Sequence, residues 1–168
     1  RGLGDVYKRQ VYTWLPTLDE LRKTGKTIVT SREVAAWGKP TLDLGVVSSD
    51  FASQHPDVVD TWRKVEARAL EQIHDDPQAA AKAVAAQLNT TAEDAANQLK
   101  QGIYLTLDEL TSPQWLGTDG KPGNVADNLH SAAEFLAEQQ QIPSAPALST
   151  FQNAIYTKGL PGVLTATQ

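Results

Sequence analysis

The chain has no cysteine and no methionine among its 168 residues. The first absence excludes disulfides and thiolate-held metal centres, and leaves the redox compartment undecided. The second removes an initiator residue, so the chain is expected to be processed or to be part of a longer reading frame. The three histidines, His55, His74 and His130, are too few and too scattered for a metal triad. No apolar run approaches the about 18 residues that a membrane span needs. Lys and Arg are outnumbered by Asp and Glu, giving a net charge of −5, and they cluster nowhere, which argues against a nucleic-acid partner. Metalloprotease, nucleophile-elbow and P-loop patterns are missing too. What remains is an ordinary acidic composition, 40% hydrophobic, long enough for one compact domain with a core.

The first ten residues, 1–10, show neither helical nor strand periodicity and resemble a translated adapter string, so they are expected to be a non-native leader. Residues 11–14 (Val-Tyr-Thr-Trp) are aromatic and β-branched, the pattern of a strand end. Pro16 then suits a first helical turn, with Leu15, Leu18 and Leu21 at near-helical spacing and Gly25 as the stop. Residues 27–29 (Thr-Ile-Val) read as a strand. Residues 30–37 read as a short helix with Glu33 completing a capping box. Leu42 to Val47 is the last strand-like run. The alternation is an α/β signature.

From Pro56 onward the chain reads as helical. Val58, Val59, Trp62, Val65, Ala69 and Ile73 follow a 3.6-residue period until Asp75-Asp76-Pro77. Residues 78–88 are alanine-rich; Thr90 to Glu93 and Thr106 to Glu109 are capping boxes opening further helices. Residues 118–123 form a turn cluster, and 124–140 a helix with Val125, Leu129, Ala132, Ala133 and Leu136 on one face. Pro143 and Pro146 mark an extended link before a last helix near Ser149, and residues 159–168 are expected to be a loose tail.

Asp43 is the sharpest candidate for a site. It heads the apolar run, where a carboxylate is expected to lose water and need donors or a cation. Lys39 lies before the Pro40 turn and supplies no obvious partner. A ligand cation and an Asx-type cap on local N–H groups both remain open. Thr41 shares that turn and can cap or bind. Trp14 stands at a strand-to-helix junction, where a rim aromatic is either a ligand contact or core. Trp37 reads the same way more weakly, while Trp62 and Trp115 read as packing residues. His74 beside Asp75 and Asp76 fits a solvated helix end, where His complements the dipole, better than a metal site.

Several pieces carry a resemblance: residues 12–16 (Tyr-Thr-Trp-Leu-Pro), 37–43 (Trp-Gly-Lys-Pro-Thr-Leu-Asp), 50–59 (Asp-Phe-Ala-Ser-Gln-His-Pro-Asp-Val-Val), 102–106 and 133–143. Over roughly residues 11–158 the chain resembles periplasmic substrate-binding proteins of taurine ABC importers, within the wider aliphatic-sulfonate and nitrate group. The resemblance implies an α/β, type II-like periplasmic binding protein with two lobes that close on the ligand, present only as its C-terminal part and therefore helix-rich. On it, residues 11–38 end the second lobe, 39–43 form a crossover hinge, and 44–158 are the C-terminal part of the first lobe.

The resemblance further implies ligand binding by Asp43, Trp14, Thr41 and Trp37. Asp43 would accept from the taurine ammonium, and Trp14 would form an apolar or cation–π wall. It implies an extracytoplasmic, periplasmic monomer, with no cofactor, no metal and no catalysis, that delivers its small-molecule ligand to an ABC permease. The rivals are a binder of alkanesulfonate or nitrate, a pyrimidine-precursor synthase-like enzyme on the same fold, and a bare helical interaction module.

Overall fold

The computed structural model describes residues 11–14 and 17–165. The expected leader, Leu15, Pro16 and the last three residues lie outside them. The chain divides into two units, Arg1–Leu42 and Asp43–Gln168.

The first unit holds two short helices, α1 (Thr17–Arg22) and α2 (Ser31–Ala36). The Leu18 amide donates to the Trp14 carbonyl at 3.0 Å, which fixes Trp14 at the mouth of α1. Helix α2 opens on the expected capping box. The Glu33 amide donates to Thr30 Oγ1 at 3.3 Å, and the Thr30 amide donates to the Glu33 carboxylate at 2.7 Å. It ends in a Schellman motif: Gly38, at φ 80°, donates to the Ala35 carbonyl and Lys39 to that of Val34. Only a residue free to adopt positive φ closes that turn cheaply.

The second unit runs α3 (Ser49–Gln54), α4 (Pro56–Asp75), α5 (Pro77–Leu88), α6 (Ala92–Leu99), α7 (Leu107–Thr111), strands β1 (Gly117–Thr118) and β2 (Lys121–Pro122), then α8 (Val125–Glu138), α9 (Leu148–Ala154) and α10 (Leu160–Thr165). Helix α5 starts where proline is tolerated, and the Ala79 amide donates to Asp76 Oδ1 at 2.9 Å. At α6 the cap lies one residue later than the sequence predicts. Thr91 pairs with Asp94, not Thr90 with Glu93.

The buried interior is built of small side chains. Ala81, Ala85 and Ala95 form one cluster between α5 and α6, and Ala67 meets Leu160, Leu107 and Leu116 in another. Alanine faces let helices approach closely but bury little area per residue. The single well-filled core expected from chain length is therefore not found among the described residues, where no large side chain is fully buried. The anticipated stripe of α8 is only partly inward: Val125 and Ala133 are buried, Leu129 half-buried, Ala132 and Leu136 exposed.

The strands expected at 11–14, 27–29 and 42–47 do not form; the described sheet is the antiparallel pair β1–β2 alone, with Gly117 opposite Pro122 and Thr118 opposite Lys121. A strand exists only when a neighbour completes its ladder, and Ile28, Val29, Leu44, Val46 and Val47 are left exposed. The parallel-sheet part of the α/β expectation is thus replaced by a helix-rich chain with one small hairpin. The tail expected to be loose is helical over Leu160–Thr165, with Leu160 buried.

Candidate functional site

Asp43 opens the second unit and is exposed, so the dehydration inferred from its apolar neighbours does not occur in this structure. The residues after it leave its side chain in water because no strand flanks them. Within the unit its charge is felt at Tyr104, on the loop between α6 and α7. Burial first, and then the negative charge of Asp43, push the Tyr104 phenol above its ordinary value. The Tyr104 ring lies against Gly102: a Cβ there would stand 2.6 Å from Cε2 and 2.9 Å from the hydroxyl oxygen. Gly102 therefore lets the phenol fold back over its own loop. A carboxylate near a neutral phenol offers a charged acceptor, a hydroxyl oxygen and the electron-rich face of an aromatic ring. That set suits an ammonium or guanidinium group.

The other expected residues lie in the first unit. Trp14 and Trp37 are 73% and 71% exposed. Trp37 caps the C-terminus of α2, and the Gly38 turn leaves its indole in solvent. Thr41 is exposed as well. Two open depressions are lined by Ala137 with residues 140–143, and by the end of α4, including His74, with residues 106–108, and none of the four expected residues lines either.

Tyr104 was not singled out in the sequence, where a tyrosine in a Gly-Ile-Tyr-Leu stretch carries no special signal. Arg63 was also missed. It is 8% exposed on the inner face of α4, and its Nη2 donates to Asp60 Oδ1 at 2.6 Å and to the Lys158 carbonyl at 2.9 Å. Its guanidinium lies 5.2 Å from the Tyr156 ring centre. Arg63 Nε and Nη1 are buried without acceptors. This is an internal tie between α4 and the 156–160 segment. Trp62, expected to pack, is half-exposed with its ring against Gly45. His74 lies exposed in the last turn of α4. Among the described residues no group of three or more His, Cys, Asp or Glu is placed to hold a metal.

No family model matches the chain, and no solved structure matches it. Over 139 residues, 79% of this chain, it is 32% identical to the taurine-binding periplasmic protein of Escherichia coli (strain K12). That stretch covers 41% of the relative, so the chain spans about two fifths of the length of the protein it matches. A binding protein, not an enzyme, is thus what the chain is similar to. The similarity supports a place in a taurine-binding-protein-like family and a solute-binding role.

Proposed function

We propose that this chain is part of an extracytoplasmic solute-binding protein that captures taurine or a closely related amino-sulfonate and delivers it to an ABC permease. The similarity to a taurine-binding periplasmic protein carries this reading. The exposed carboxylate of Asp43, whose charge is felt at the Tyr104 phenol, is the feature that gives it chemistry. In this reading Asp43 accepts from the ligand ammonium. Trp14, Trp37 and Thr41 offer aromatic and hydroxyl contacts, which their exposure leaves available. The protein works as a monomer in the periplasm, in the type II-like, two-lobed frame, with residues 39–43 as hinge. It performs no catalytic step and needs no cofactor. A zwitterionic ligand is uncharged overall, so a net charge of −5 does not repel it.

Binding to a hybrid tests this. Residues 11–158 replace the matched stretch of the E. coli relative, and calorimetry compares taurine, ethanesulfonate and nitrate. Taurine is expected to bind more tightly than ethanesulfonate by about 10- to 100-fold, the worth of one hydrogen bond to a charged group. Tighter binding of ethanesulfonate or nitrate would move the assignment to the wider sulfonate and nitrate group.

A further inference from the structure

Little holds Asp43 directly. Its carboxylate makes no ion pair among the described residues, and no backbone group of residues 40–47 is hydrogen-bonded among them. The tie before this run is the Lys39 amide on the Val34 carbonyl, in the first unit. The tie after it is the Ser48 cap of α3, whose hydroxyl accepts from the Phe51 amide at 3.2 Å. Between the two, the chain is pinned on α4 at Gly45. The outer edge of the Trp62 indole, Cη2, Cζ2 and Cζ3, fills the space that a Cβ at Gly45 would need, with Cζ3 at 3.1 Å. Gly45 lies two residues past Asp43, so the pinned Cα stands at most about 7 Å from that of Asp43. Helix α4 is a firm base for such a contact. It runs for 20 residues, and Arg63, next to Trp62, ties it to the Lys158 carbonyl and the Tyr156 ring.

We infer that Trp62 is a positioning residue for the ligand site: its indole clamps the backbone after Asp43 onto α4 and so sets where the Asp43 carboxylate stands for a ligand ammonium. The inference rests on the proposed role of Asp43 as that anchor. A charge-assisted hydrogen bond is strong only with donor and acceptor close and aligned, which demands an acceptor held in place by packed neighbours. A run without hydrogen bonds would otherwise lose its freedom at the moment of binding and weaken the complex by that entropy. A stiff, flat indole lying on a residue without a Cβ removes part of that freedom beforehand. The two possible roles of Trp62 differ in what they do to ligands. Mere packing acts equally on every ligand. Positioning acts on those that carry an ammonium, because ethanesulfonate offers Asp43 no donor.

The test has two arms. In the full chain without ligand, amide relaxation reads the order parameters of residues 44–47. They are expected to fall below about 0.6, the flexible range, in Trp62→Ala, and to stay above it in the unsubstituted chain and in Trp62→Phe. In the hybrid carrying residues 11–158, calorimetry compares taurine with ethanesulfonate. Trp62→Ala should cut the taurine preference by at least about fivefold while ethanesulfonate affinity moves by less than about twofold. Trp62→Phe should keep the preference. Gly45→Ala, which displaces the indole from the loop side, should act as Trp62→Ala does. A taurine preference undiminished in Trp62→Ala overturns the inference and leaves Asp43 as the anchor. A hybrid without any taurine preference overturns both. Unchanged order at residues 44–47 in Trp62→Ala, or an equal loss of both ligands, reduces Trp62 to a packing residue and overturns the inference as well.

Discussion

The indole of Trp62 fills the space that a side chain at Gly45 would need: Trp62 Cζ2 would stand 2.9 Å from a Cβ there. The reason for glycine is room, since its backbone is not in the left-handed region. Gly45→Ala is therefore expected to push the half-exposed Trp62 indole aside and to destabilise the second unit by up to about 1 kcal/mol. Urea unfolding measures it. In a Trp62→Leu background the same substitution should cost much less, and an undiminished cost would contradict the steric account.

The Tyr104 phenol titrates above its ordinary value, with burial the larger cause and Asp43 the second. A group raised in the folded state stabilises fully below its unfolded value, and that contribution is lost as pH rises through the folded one. Stability should thus fall in the alkaline range above the ordinary tyrosine value of 10.0. Ultraviolet titration of Asp43→Asn should bring the phenol part of the way down, leaving the share due to burial.

Glu33 and Glu109 each close a capping box and are held below the ordinary glutamate value of 4.5 by hydrogen bonds with Thr30 and Thr106. The sign is opposite to that of tyrosine: their contribution is present above the unfolded value and lost as pH falls through the lowered one. Helices α2 and α7 should fray on acidification below about pH 4.5. Carboxyl-resolved NMR should show Glu109 returning toward its ordinary value in Thr106→Ala, with a lower Tm.

Arg63 joins α4 to the chain just before α10, through the Lys158 carbonyl and the Tyr156 ring. Arg63→Ala should cost about 2–4 kcal/mol, mainly for the cavity it leaves, since the carboxylate it abandons, Asp60, is 41% exposed. Two of its own donors lack acceptors, so Arg63→Met should cost distinctly less. Hydrogen exchange should speed up at Leu160 in both variants, since its amide bonds to the Thr157 carbonyl in the segment that Arg63 holds.

The helices were legible because their signals are local. Pro56, Pro77 and the boxes at Thr30 and Thr106 act within one turn of the chain. Strands were not, because residues 27–29 and 42–47 have the right composition but no ladder partner among the described residues. The stripe from Val58 to Ile73 was read correctly as apolar, yet the face buried within the unit is that of Val59, Arg63 and Ala67. Periodicity finds an amphipathic side and cannot say which neighbour covers it. At the site, Asp43 stood out as a lone acid but its burial was misjudged, again for want of flanking strands. Tyr104, where the charge of Asp43 is felt, lies about sixty residues further along the chain, a separation no local pattern encodes.

The central claim is that Asp43 anchors a ligand ammonium. Calorimetry on the hybrid, with Asp43 and with Asp43→Asn, measures the ratio of taurine to ethanesulfonate affinity. The account predicts a preference of about 10- to 100-fold that collapses to near unity in Asp43→Asn, with ethanesulfonate affinity little changed. A taurine preference that survives the substitution would contradict it.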